Sequence, residues 1–180
     1  MFQWLMRRQL DAFEKRYDYN VDYMRDILTT SPRALMRFSR VMGFAQYREE
    51  VPLEALYAAK LASTMQEDCG PCTQLIVDMA EQEDVSPAVL RAILSRNPDA
   101  MPPDAALAYR YARAALAHDI AADELREQVV KRWGRKALMS LAFALTSALI
   151  FPTLKYALGH GHSCVRVRVA GVETPVPAAA

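Results

Sequence analysis

Cys69 and Cys72 stand three residues apart in residues 66–76, QEDCGPCTQLI. Three readings suit such a pair: a working redox couple, half of a metal site, or two small residues that merely begin a helix. Positions i and i+3 on a first helical turn share a face, which brings the two sulfurs within bridging reach. Gly70 and Pro71 shape the turn, and a proline loses no hydrogen bond at a helix start. The free N–H groups of that turn favour a thiolate and lower its pKa from the ordinary value of about 8.5. One sulfur can then be oxidised to a sulfenic acid, which the other closes to a disulfide. Glu67 and Asp68, directly before the motif, oppose this if they face the thiol, because a like charge raises its pKa. Turned elsewhere, they cap the helix or carry a proton.

A second group of reactive side chains lies in GHGHSC, residues 159–164. His160, His162 and Cys164 are of the types that bind zinc or copper. Only three ligands are visible where a structural zinc site has four, so the expectation is an exposed loop and no metal. The alternative is a histidine that folds back toward the cysteine pair. His118 sits near a helix end, where its expected role is to cap the helix. The chain contains no glycine-rich phosphate loop, and no cofactor is expected.

The elements that must position these groups read almost entirely as helices. Ser31–Pro32 and Ser86–Pro87 are paired start signals, an N-cap followed by proline at the first helical position. Pro52 and Pro102–Pro103 mark two further starts, and Gly134 marks a stop. Residues 137–154 carry no charge over 18 positions, near the lower limit for crossing a bilayer. Pro152, the hydroxylated residues and the lack of a second span favour a helix buried in a core or an oligomer interface. Alternation occurs at 164–172, CVRVRVAGV, which reads as a short edge strand or an extended arm, and ETPVPAAA after it reads as disordered. The division expected is a helical arm over 1–45, a helical core over 46–163 and an extended tail over 164–180.

Composition narrows the function classes. Apolar residues make up 52% of the 180, enough to bury a core. The formal net charge is +1, which offers no electrostatic case for nucleic acid or an anionic membrane surface. Three cysteines do not make a secreted disulfide scaffold, and the charged start lacks an apolar core of signal-peptide length. A reduced, cytoplasmic protein is expected.

CGPC is also the tetrapeptide of thioredoxin, but no parallel-sheet strands surround it here. A helix, a short break and a C-x-x-C opening the next helix instead resemble the alkylhydroperoxidase D-like superfamily, which includes the carboxymuconolactone decarboxylases. The resembling stretch is YAAKLASTMQEDCGPCTQLIVDMA, residues 57–80, and the helical 102–158 region is compatible with the rest of the fold. The resemblance implies an all-α helical bundle, here with an N-terminal arm, that forms a homo-oligomer. It implies a thiol-dependent peroxidase whose Cys72 attacks a hydroperoxide and whose Cys69 resolves it, with a dithiol protein as reductant. The family's proton relay does not carry over. Its glutamate, twelve residues before the first cysteine, is Tyr57 here, and its histidine, four after the second, is Ile76. Glu54, Tyr57, Lys60 and Glu67 are the candidate substitutes, with Gln74 also near in sequence. Two other functions stay open: a non-catalytic helical oligomer that has lost the relay, and, less favoured by the C-x-x-C, a lactone decarboxylase.

Overall fold

The computed structural model describes residues 2–161 and 166–177. It is all-α apart from one hairpin. The helices are α1 (Phe2–Tyr17), α2 (Asp22–Thr30), α3 (Pro32–Phe38), α4 (Arg40–Ala45), α5 (Leu53–Gln66), α6 (Gly70–Gln82), α7 (Pro87–Leu94), α8 (Pro103–Leu116) and α9 (Ala121–Ala157). The strands are β1 (Arg166–Val169) and β2 (Val172–Pro175).

The start signals act locally, as their chemistry requires. Ser31 Oγ accepts the Ala34 N–H ahead of α3, and Ser86 Oγ accepts the Ala88 N–H ahead of α7, each with proline in the first turn. Gly134 interrupts α9 at φ 86° and ψ 175°, a conformation open to glycine and costly for other residues. The apolar segment therefore begins after a real break in the helix.

α5 is the central helix and is buried on nearly every side. Its residues Ala55, Ala58, Ala59 and Ala62 are small, so the alanine-rich α8 and the apolar part of α9 approach its backbone closely. A helix with no exposed face has little amphipathic pattern, as its sequence shows.

The arm has a core of its own. Tyr19, Val21, Tyr23, Met24, Leu28 and Leu35 pack together, and Leu75 of α6 with Phe151 and Leu154 of α9 close that cluster. Arg25 ties α1 to α2 by pairing with Asp11, Glu14 and Asp22. This arrangement lays the arm across the beginning of α6, over the cysteine motif.

The last residues are ordered further than their composition suggests. Ala170 and Gly171 both have positive φ, at 50° and 73°, and connect Val169 to its partner Val172. That is the two-residue turn whose twist matches an antiparallel pair. Val167 and Val169 alternate inward and are buried. The side chain of Gln74 accepts the Arg168 N–H at 2.7 Å and donates to the Arg168 carbonyl at 3.0 Å, filling the place of a neighbouring strand. The expectation of disorder from residue 173 is thus corrected for Glu173–Pro175, because the hairpin pairs them and α6 anchors their partner strand.

Candidate functional site

The two cysteines meet where α5 ends and α6 begins. The turn between them uses Asp68 at φ 47°, a left-handed conformation that aspartate tolerates better than most residues. Cys69 is the N-cap of α6 and Cys72 lies on its first turn, with Cα atoms 5.3 Å apart and the sulfurs at bonding separation. The pair is a disulfide in this structure. The Thr73 N–H and hydroxyl both donate to the Cys69 carbonyl, at 2.9 and 3.1 Å, which closes the first turn under the motif.

Arg96 secures the other side of the turn. Its guanidinium donates to the Met65 carbonyl at 2.7 Å and approaches the Asp68 carboxylate at 3.9 Å. It thereby satisfies a carbonyl left free at the end of α5 and neutralises one of the two acids that precede the motif. Arg96 lies 31 residues from Met65 and was not among the residues singled out in the sequence. No local signal marks such a long-range cap.

Both sulfurs are nearly covered, with Cys69 2% and Cys72 4% exposed. Cys72 nevertheless borders a largely apolar cavity of about 100 Å³ between the arm, α5, α6 and α9. Phe13, Met24, Leu75, Ile76, Met79 and Phe151 supply much of its wall. Tyr19, Tyr23, Lys60, Thr64 and Ser147 supply polar atoms. Cys69 is not on that wall. The cavity distinguishes the two cysteines, which the spacing alone does not.

The candidate relay residues separate clearly. Lys60 lines the cavity with Cys72, and its ammonium lies 5.2 Å from the ring of Tyr57. Burial pushes the Lys60 pKa down, opposed by the negative charge of Glu83. Tyr57 itself points elsewhere, donating its hydroxyl to Glu83 at 2.7 Å. Its pKa is raised, first by burial and then by that hydrogen bond. Glu54 sits in the first turn of α5 and Glu67 at its C-cap, both partly exposed and neither on the cavity wall. Gln74 is occupied by the hairpin and by Asp78, which accepts from its amide at 2.7 Å. Ile76, in the position where the resembling family has histidine, is part of the cavity wall.

The described histidines, His118 and His160, are not on the cavity wall. His160 lies 3.4 Å from the exposed Asp26 carboxylate. His162 and Cys164 fall outside the described residues. His118 occupies the turn after α8 at φ 54°. Among the described residues, no three histidine, cysteine or carboxylate side chains gather as a metal site would require. The pair of aromatic side chains that does meet the motif, Tyr19 and Tyr23, comes from the arm, about fifty residues away in sequence. Nothing local in the sequence distinguishes these tyrosines from the chain's other aromatic residues.

The arrangement can therefore form and break one disulfide, with one of its sulfurs facing an apolar space that also holds an amine. No protein-family model, no curated protein and no solved structure matches this chain.

Proposed function

We propose that the chain is a thiol-dependent peroxidase and disulfide oxidoreductase of the alkylhydroperoxidase D-like superfamily. The observation that carries this reading is the Cys69–Cys72 disulfide at the start of α6, with Cys72 opening onto the cavity. The Cys72 thiolate attacks the terminal oxygen of a hydroperoxide. A sulfur–oxygen bond forms, the oxygen–oxygen bond breaks, and the alkoxide leaves as an alcohol after taking a proton. Lys60, on the same cavity wall, is the proposed donor of that proton. The Cys69 thiolate then attacks the Cys72 sulfenic acid, forming the disulfide and releasing hydroxide, which is protonated to water. A dithiol reductant protein in the cytoplasm restores both thiols by exchange. The cavity, about 100 Å³, is smaller than the roughly 150 Å³ space that holds a benzene ring, so it suits a short alkyl hydroperoxide. We include a homo-oligomer in the proposal, because the apolar part of α9 is only half covered within one chain.

A second reading has its own support. Ile76 and Tyr57 replace the family's histidine and glutamate, and both sulfurs are nearly buried. On that reading the disulfide is structural and the chain is a non-catalytic helical protein. The deciding experiment follows thiols and peroxide together in the reduced protein. The peroxidase predicts loss of two thiols per peroxide, turnover when a dithiol is supplied, and none in Cys72→Ser. In Cys69→Ser it predicts a Cys72 sulfenic acid that a dimedone-type probe captures. Thiols that ignore peroxide would leave the structural reading.

A further inference from the structure

Against two aromatic residues of the cavity wall, Tyr19 and Tyr23, lies a group that the steps above do not use. Lys155, in the last turn of α9, is 5% exposed. Its ammonium stands 4.8 Å from the Tyr19 ring and 5.6 Å from the Tyr23 ring. No carboxylate among the described residues pairs with it. The nearby Asp26 is engaged by His160 at the surface. Burial alone pushes the Lys155 pKa down. An amine taken out of water needs an anion beside it or gives up its proton. Contact with the two tyrosine rings supplies part of that stabilisation, as a cation over an aromatic face does.

The two phenols are in the same condition. The Tyr19 hydroxyl lies 3.8 Å from Cys72 Sγ, near enough to hydrogen-bond a sulfur. Burial holds its pKa up at about 12, so it remains a donor across the neutral range. The Tyr23 hydroxyl is buried beside that of Tyr19, and burial and the Tyr19 phenol raise its pKa. Two phenols on the cavity wall, with a buried ammonium against their rings, thus stand beside a sulfur that carries no charge while the disulfide is closed. Reduction creates one there, because Cys72 becomes a thiol and can ionise.

We propose that Tyr19 and Lys155 form the seat of the Cys72 thiolate, with the Tyr19 hydroxyl donating to Sγ and Lys155 as the counter-charge. The proposal rests on the reading of Cys72 as the reactive thiol. When a dithiol reduces the disulfide, two electrons and two protons reach the pair, and the reductant becomes a disulfide. Cys69 keeps its proton as a thiol. Cys72 loses its proton to solvent, and the Lys155 ammonium offsets the charge left on the sulfur. The other titratable groups facing Cys72 are Tyr23 on α2, Lys60 on α5 and its partner Cys69. α1 and α4 bring no titratable side chain to the cavity wall. Lys60 on the wall, Lys155 against the Tyr19 ring and the N-terminus of α6 thus act in one direction on the thiolate, with Glu67 and Asp68 outside the cavity.

Lys155 and Tyr19 are positioning residues on this account, and their effect is read from a pH profile. Alkylation of Cys72 in the reduced full-length protein is followed by peptide mass spectrometry across pH. It is repeated in Tyr19→Phe, which removes one oxygen, and in Lys155→Met, which keeps the length of the side chain. Peroxide consumption is measured on the same preparations. The expected midpoint in the parent protein lies below the ordinary thiol value of about 8.5. Each variant should raise it by about one pH unit, a tenfold loss of thiolate at neutral pH. A midpoint that neither substitution moves overturns the seat, while peroxide consumption that depends on Cys72 would still uphold the peroxidase. A midpoint that moves as expected, with no peroxide consumed, upholds the seat and overturns the peroxidase. Should Lys155→Met fail to fold, Tyr19→Phe alone decides.

Discussion

Ile76 stands where the resembling family carries a proton, and it cannot carry one. Lys60 faces the same space from α5, on the preceding helix but on the same wall. As a general acid it must hold its proton when the alkoxide leaves. Burial lowers its pKa, so the peroxide rate should rise as Cys72 ionises and fall again as pH passes through the lowered Lys60 value. Lys60→Met should remove the falling limb and reduce kcat/KM by about 10²–10⁴-fold. A pH–rate profile with stopped-flow peroxide loss checks both, and an unchanged alkaline limb would exclude Lys60. Glu54 and Glu67 lie off this wall, so their alanine variants should leave the profile as it is. The cysteine motif was legible at this scale because its chemistry is contained in four consecutive residues. Lys60 was one of several nearby candidates, and proximity in sequence could not rank them. The direction of each side chain around α5 ranks them, and helix packing sets that direction.

At the scale of elements, the break between α5 and α6 is what puts two cysteines on a first turn. Its right-hand side was written locally, in Gly70, Pro71 and the Thr73 hydroxyl. Its left-hand side depends on Arg96, held in the connection after α7 with its side chain only 13% exposed. Removing the guanidinium leaves the Met65 carbonyl without its charged donor. Arg96→Met should therefore cost about 1–3 kcal/mol of stability, the usual penalty for orphaning a buried polar group. Urea denaturation of the oxidised protein measures it, and a midpoint equal to that of the parent protein would show that the turn holds without Arg96. The Ser-Pro helix starts belong to the locally written kind, since cap and backbone are two or three residues apart. The hairpin combines both kinds. Its turn is local, at Ala170–Gly171, although 164–172 read as one strand or arm, and its docking depends on Gln74 and Glu81, about ninety residues earlier.

Over the whole molecule the question is what covers α9. An 18-residue window of this helix has a mean hydropathy of 1.9, and half of that window is buried inside the protein. By length and composition it is apolar enough to cross a membrane, a test that the core helix of a soluble protein also passes. Exposed Met139 and Tyr156 lie toward the two ends of that apolar stretch. The homo-oligomer proposed above predicts a protein that stays in solution without detergent. Static light scattering at micromolar concentration should then give a mass above the 20.2 kDa of one chain. A monomer under those conditions would remove the oligomer, and a chain recovered only with detergent would favour a membrane span.

The amino-acid sequence by itself determined that the chain is helical and that two cysteines share a helix start. Capping, turn formation and the i, i+3 geometry act within a few residues, so the information lies in adjacent letters. Only the tertiary structure decided which cysteine borders a cavity and which of four neighbouring side chains faces it. It alone brought Tyr19 from the arm to Cys72, and Lys155 from the end of α9 against the rings of Tyr19 and Tyr23. Those contacts join residues 53 to 136 positions apart, because the arm and α9 bury their apolar sides against α6. A polar side chain carried into that contact arrives with the helix, and its own sequence neighbourhood does not reveal what it will meet.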